Sequence, residues 1–278
     1  MPAVDHLFAP AKLTRSLRIV GVRADGYHLL KTEMASLDLA DELEIEDGAD
    51  GLEIIDEVAW VRGGALADRQ RSEIADDPGA GTVPADQANI VSKALAAVGR
   101  RARVRLRKRI PAGAGLGGGS SDAAAVLRWA GALDPATAAA LGADVPFCVL
   151  GGRARVGGIG DRIEPLGFEA FSVVLVTPAL SVSTPEVYRC WDALGGPQGE
   201  SGNDLEPAAL VVEPRLLWWR DLISAVADER PCLAGSGGTW YLERAPEVAS
   251  SLAAEMAEAV RAEHATALVL ASASARRQ

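Results

Sequence analysis

The sequence predicts two α+β domains joined near residue 166. Strands and helices mix in both halves of the chain. A strand, VRLRKRI at 104–110, runs through a glycine loop straight into an Ala-rich helix. After Pro165 the character changes, and FSVVLVTP at 171–178 reads as a compact β-branched strand.

The elements follow in order. LTRSLRIV at 13–20 alternates apolar and polar residues, which predicts a strand with one solvated face. DGYH at 25–28 is a turn signal. Further alternation over 29–46, clearest in LEIE at 43–46, predicts more strand. The stretch from Gly63 to Pro84 is polar and punctuated by Gly and Pro, and reads as a loop or lid. NIVSKALAAVG at 89–99 has helical periodicity, and a short helix is expected near 136–142. Residues 208–227 and 246–263 read as helices. LAGSGGTWYLER at 233–244 is a glycine turn entering a strand, and the tail after Leu270 is expected to fray. No internal repeat is present.

Composition narrows the function. The 278 residues are 49% hydrophobic, enough for an aliphatic core, and carry a formal charge of −10. That balance argues against nucleic acid, because neutralising a phosphate backbone needs clustered Lys and Arg. A small phosphate ligand needs only local N–H groups and one or two cations. Cys148, Cys190 and Cys232 lie far apart with no CxxC pair, so reduced thiols are expected and a metal cluster is not. The segment MPAVDHLFAPAKLTRS lacks a basic start and apolar core, and no apolar run reaches membrane-spanning length. The expectation is a cytoplasmic protein, a monomer or homodimer, with no membrane partner.

The strongest local signal is Gly113-Ala-Gly-Leu-Gly-Gly-Gly-Ser-Ser-Asp122. Glycines let backbone approach a ligand closely and adopt positive φ. Ser120, Ser121 or Asp122 can cap the next helix, whose first turn offers free N–H groups and a positive dipole end. Together these make an anion site of the kind phosphates occupy. GxxxxGK[ST] is absent, so this is not a Walker A loop, and no well-placed acid follows to make a Rossmann fingerprint. The alternative is a flexible Gly/Ser linker, which would not join a strand directly to a helix.

PAGAGLGGGSSDAAAVL resembles the phosphate-binding motif PxxxGLGSSAA of the GHMP kinases. APAKL at 9–13, RADGYHLL at 23–30, LGADVPF at 141–147 and GSGG at 235–238 resemble, in order, motifs of that superfamily's diphosphocytidyl-methylerythritol kinase branch. The resemblance spans roughly residues 9–245. The phosphate motif and APAKL alone indicate only the superfamily; RADGYH with GADVPF singles out the branch. The resemblance implies a two-domain GHMP kinase fold. Residues 1–166 would form a ribosomal-protein-S5-domain-2-like domain with the ATP loop and catalytic residues, and 167–278 a ferredoxin-like domain.

The implied reaction is ATP-dependent phosphorylation of the 2-hydroxyl of 4-diphosphocytidyl-2-C-methyl-D-erythritol, with Mg²⁺ offsetting phosphate charge. Asp144 would take the hydroxyl proton and Lys12 would stand beside it. By motif position, Pro111, Gly113, Gly115, Leu116, Gly117, Gly118, Gly119, Ser120 and Ser121 would hold the ATP phosphates. Lys108 and Asn89 would lie near the nucleoside, although Asn89 could equally be a plain helix cap. Tyr27 and His28 would recognise the cytosine end, with Thr184, Tyr188, Gly235 and Gly237 completing the substrate side. Catalysis by His28 is a rival role.

Several residues depart from the family pattern. Thr14 stands where Asn is common and Arg15 where an apolar residue is common. Trp240 and Tyr241 are bulkier than usual. Asp122, expected in the first turn of the helix, would repel phosphate unless Mg²⁺ intervened. Another GHMP kinase, acting on homoserine, mevalonate or a sugar, and a noncatalytic nucleotide-binding relative remain the alternatives. RADGYH counts against the first, and retained Lys12 and Asp144 against the second.

Overall fold

The computed structural model describes residues 4–63 and 83–277. The body of the stretch read as a loop or lid, 64–82, lies outside the described residues.

The first sheet is built on one long hairpin. Strands β1 (Val4–Val22) and β2 (His28–Asp47) pair antiparallel along their whole length. Their joint is the DGYH turn, where Gly26 takes φ 86° and the Arg23 N–H donates to the Tyr27 carbonyl. The expected strand at 13–20 is thus the middle of a much longer one. On the other edge of β2, strand β5 (Ala102–Lys108) pairs with residues 42–47, and β6 (Arg153–Gly158) with residues 30–35. Strand β3 (Gly51–Asp56) adds in parallel to β5, and β7 (Arg162–Pro165) closes the far side on β6.

Three helices back this sheet: α1 (Ile90–Ala97), α2 (Gly118–Trp129) and α3 (Pro135–Leu141). A short α4 (Val145–Leu150) follows. Helix α2 is Ala-rich on purpose of packing: Ala123, Ala124 and Ala125 are all buried, so the backbone sits close against its neighbours.

The second sheet has the order β4-β11-β8-β10-β9, from Trp60–Arg62, Thr266–Ala273, Ser172–Pro178, Trp240–Arg244 and Cys232–Leu233. Strand β8 reads SVVLVTP and is buried along its full length, as expected of a central strand. Helices α5 (Thr184–Ala193), α6 (Glu206–Val212), α7 (Arg215–Ala227) and α8 (Pro246–Ala262) accompany it.

Three expectations need correction. The single helix over 208–227 is two, broken at Glu213-Pro214, because Pro cannot continue the hydrogen-bond ladder of the preceding helix. The tail after Leu270 does not fray: β11 runs to Ala273, Ser274 bridges Leu37, and the Ala275 N–H donates to the Ser36 carbonyl at 2.8 Å. A division at 166 does not follow the sheets either. Trp60–Arg62 of the first half pairs with Thr266–Leu268 in the second sheet.

The two sheets share a core. Ala11, Leu13 and Leu37 from the hairpin pack in one cluster with Val173, Leu175 and Tyr241 from the second sheet. At the edge of this cluster Arg15 bonds Glu33 at 2.8 Å and Glu243 at 2.7 Å, and its guanidinium lies 4.4 Å from the Phe171 ring centre. The Tyr241 hydroxyl donates to the Arg15 carbonyl at 2.8 Å, so two of the departures from the family pattern meet each other.

Leu175 is fully buried in this shared cluster. Leu175→Ala is expected to cost about 2–5 kcal/mol, the range for deleting a buried Leu side chain. Urea unfolding followed by tryptophan fluorescence and by far-UV circular dichroism should give midpoints that fall together, because the lost packing belongs to both sheets.

Candidate active site

Strand β1 carries the first site residues. Alternation puts Ala11 and Leu13 into the shared core and turns Lys12 and Thr14 the other way. Pairing irregularities between Pro10 and Lys12 and between Thr14 and Ser16 bracket this segment, and bulges of that kind re-aim side chains. Lys12 is nearly buried, and its Nζ lies 3.1 Å from Asp144 Oδ2 while donating to Thr14 Oγ1 at 3.2 Å. Asp144 stands at the N-terminal end of α4, but its side chain makes no cap bond there. Its carboxylate is left for Lys12.

The glycine loop lies against this pair. The Lys12 N–H donates to the Leu116 carbonyl at 2.9 Å. Gly117 is the residue that starts helix α2, with φ 67°, and a Cβ there would stand 2.6 Å from Lys12 Cγ. Both the backbone angle and the contact require glycine. The helix therefore begins at Gly118, earlier than expected, and no side chain caps it. The first-turn N–H groups of Gly118, Gly119 and Ser120 stay open at the positive end of the helix dipole.

Asp122 is consequently one turn further in, not in the first turn. It is buried with Lys108 and Asp41 beneath the loop. Lys108 Nζ bonds Asp41 Oδ2 and lies 2.8 Å from Asp122 Oδ2. Burial pulls the Lys108 ammonium down, but the two carboxylates more than offset it and raise its pKa. Burial raises Asp122. Its Oδ2 is met by Lys108. Asp41 also accepts from the N–H groups of Arg109 and Ile110, at 2.6 and 2.9 Å, which fixes the entry to the loop.

The far side of the loop is held by the second sheet. Thr239 Oγ1 donates to the Ala114 carbonyl at 2.7 Å and meets Thr177 Oγ1 at 2.8 Å. A Cβ on Gly115 would come within 2.4 Å of the Gly237 carbonyl. Asn203 donates to the Leu233 and Gly235 carbonyls, at 2.8 and 2.7 Å, and so holds the GSGG turn. Thr184 Oγ1 meets Ser236 Oγ at 2.7 Å.

A cleft of about 920 Å³ opens over these elements. Lys12, Asp144, Lys108, Asn89, Pro111, Ser120, Gly113, Gly115, Gly117, Gly118 and Gly119 line it, as do Tyr27, His28, Thr184, Tyr188 and Gly235. Three expected contacts do not face it. Leu116 is buried in the shared core, the Ser121 hydroxyl donates to the Pro10 carbonyl at 2.6 Å, and Gly237 packs toward Val182. Asn89 does cap α1, its Oδ1 accepting from the Val91 N–H at 2.8 Å and its Nδ2 donating to the Pro84 carbonyl at 2.7 Å.

At the other end, His28 lies between α5 side chains. Its Nε2 is 2.8 Å from Asp192 Oδ1, and the Tyr188 and Trp191 ring centres are 4.8 and 5.5 Å away. Burial, with Asp144 second, raises the Tyr188 phenol. Burial and then the Asp144 charge push the Cys148 thiol up to about 12, which leaves it an inert thiol beneath the site.

Sequence reasoning missed Asp41, Asn203, Thr239 and Asp192. Asn203-Asp204, polar residues opening an apolar helix, were a usable signal. The others carry none, because their partners are distant in sequence.

The description "GHMP kinases N terminal domain" matches residues 89–152. A 4-diphosphocytidyl-2-C-methyl-D-erythritol kinase of Dinoroseobacter shibae is 34% identical over 84% of this chain and 83% of its own length. The chain belongs to this kinase family. A relative of the same name from Cereibacter sphaeroides is 35% identical over 94% of this chain and 96% of its own. The crystal structure of a 4-(cytidine 5'-diphospho)-2C-methyl-D-erythritol kinase superposes with a TM-score of 0.71 at 32% identity, covering 97% of this chain and 99% of that one. Homoserine kinase from Cytophaga hutchinsonii shares the fold at 16% identity and a TM-score of 0.60. The protein is thus an ATP-dependent kinase with the GHMP α+β fold. Among the described residues no helix is long and apolar enough to cross a membrane.

Gly117→Ala should displace Lys12 as well as strain the helix start. We expect kcat to fall at least tenfold while the unliganded melting temperature shifts by only a few degrees, since a loop position carries little of the core. Steady-state kinetics beside thermal melts will check this.

Proposed function

We propose that this chain transfers the γ-phosphoryl group of ATP to the 2-hydroxyl of 4-diphosphocytidyl-2-C-methyl-D-erythritol. The observation that carries the reading is the Lys12–Asp144 pair, 3.1 Å apart, with the glycine loop against Lys12 and the His28–Tyr188 wall in the same cleft. The open N–H groups at the start of α2 bind the ATP phosphates. Tyr27, His28 and Tyr188 take the cytosine end.

Asp144 accepts the proton of the 2-hydroxyl as its oxygen bonds the γ-phosphorus. The bond from that phosphorus to the bridging oxygen breaks, and ADP leaves with the bridging electrons. Lys12 holds the carboxylate and faces the transferring group, so its ammonium offsets charge that develops there. Thr14 accepts from the same ammonium and keeps it in place. That is how a hydroxyl serves where relatives commonly have an amide. The protein's part is positioning, with little covalent chemistry of its own.

The donor set suits a phosphate-borne magnesium ion rather than a resident one. No group of three acidic or other ligand side chains gathers among the described residues, whereas Mg²⁺ needs only one or two protein oxygens beside phosphate and water. Asp144 and Ser120 line the cleft and would hold it, and the ion would offset phosphate charge.

The direct test is ADP release by the purified protein with ATP and the cytidyl substrate, with ³¹P NMR to identify a new phosphomonoester. Turnover of homoserine or mevalonate instead would overturn the reading. Asp144→Asn keeps the shape and removes the base, so kcat should fall by about 10²–10⁴-fold with ATP binding retained. Near-normal kcat in that variant would remove Asp144 from its role.

His28→Ala should raise KM for the cytidyl substrate well above any change in KM for ATP. Varying each substrate in turn separates the two.

A further inference from the structure

We propose that Asp192 is a positioning residue that fixes the tautomer of His28 and so makes this end of the cleft selective for a base with an exocyclic amine. The inference rests on the cytidyl reading above and adds to it the group responsible for discrimination.

Residues Tyr188, Trp191 and Asp192 stand at i, i+3 and i+4 on helix α5, which puts them on one face. That face forms a socket for the imidazole of His28, which opens strand β2. Tyr188 lies tilted against the ring and Trp191 meets it edge-on at 83°. Trp191 is itself held, its Nε1 donating to the Pro197 carbonyl at 2.9 Å. Only the ring plane is set by these two contacts; they leave open which nitrogen carries the hydrogen. Asp192 decides that. A carboxylate only accepts, so the contact of 2.8 Å requires the hydrogen on Nε2. In the neutral ring Nδ1 is then a bare acceptor.

His28 and Asp192 both line the cleft. An acceptor there can take one amine hydrogen of cytosine. At the same position uracil presents a carbonyl oxygen, a second acceptor, and the pair would be left without a hydrogen between them. Leaving a desolvated polar group unpaired costs far more than a hydrogen bond gains, and this asymmetry is how polar sites reject near-isosteres. Asp192 holds the ring from the α5 side. Its effect passes through the imidazole.

The test uses the full chain labelled with ¹⁵N, and CDP and UDP as probes. Long-range ¹H–¹⁵N NMR of His28, assigned by its loss in His28→Gln, should show the wild-type ring hydrogenated at Nε2 and bare at Nδ1. In Asp192→Ala the ring should become a mixture of tautomers. Calorimetric titration should show wild type preferring CDP, with the CDP/UDP ratio falling about tenfold or more in Asp192→Ala, the scale of one lost polar match. KM for ATP should not change, which also reports that the variant is folded. A wild-type ring hydrogenated at Nδ1, or an unchanged CDP/UDP ratio in Asp192→Ala, would overturn the role of Asp192 alone. A wild type that does not prefer CDP would overturn the cytidyl reading and this inference with it. The wild-type tautomer is read without any substitution, so a variant that failed to fold would still leave that arm decisive.

Discussion

The approach of the glycine loop to Lys12 is the constraint on which the site depends. A main-chain bond from Lys12 to Leu116 ties the loop to strand β1, and Gly117 leaves no room for a side chain between them. This contact brings the N-terminus of α2 to the same place as the ammonium that holds Asp144. The open end of α2 and the base of the Lys12 side chain are thereby held together by backbone, and Asp144 joins them through the Lys12 ammonium. The loop is clamped on its other side by Thr239 and the Gly237 carbonyl. Both sheets therefore contribute to a single cradle for the glycine loop.

Below the cradle, Lys108, Asp41 and Asp122 form a buried ionic triad. Buried ions are costly to desolvate and contribute weakly to stability, so their value lies in specifying geometry. Here the geometry is definite. Asp41 reads two successive N–H groups where β5 hands over to the loop, and Asp122 reaches back from α2 to the same ammonium. The triad joins the residue before the glycines to the helix after them. It gives a structural role to the lysine five residues before the glycine loop, which also lines the cleft.

Much of this was legible in the sequence, for physical reasons. The glycine loop announced itself because a strand ran into glycines and then into a helix with no linker between. Strand β8 was evident from its compact run of mostly β-branched residues. Lys12, Asp144 and His28 came from motif resemblance, and the cleft brings them together. What failed was local reasoning about non-local facts. Helix α2 starts at Gly118 because a positive-φ glycine can begin it unaided, whereas a serine or aspartate cap was expected. The tail after Leu270 looked unstructured in isolation, but it is ordered by Leu37, Ser36 and Phe171, all far away in sequence. Asp192 looked like any acid at a helix end until the fold brought His28 to it.

The pairing of Trp60–Arg62 with Thr266–Leu268 bears on how the chain assembles during synthesis. The small strand leaves the ribosome some two hundred residues before the strand it pairs with among the described residues. Strand β8 waits likewise, since β11 supplies one of its two flanks. The second sheet cannot close in stages from its beginning, because its order interleaves the earliest and latest segments. Such long-range closure slows folding and prolongs exposure of apolar strand edges. A nascent chain of this protein therefore carries an unfinished second sheet until its last strand has emerged.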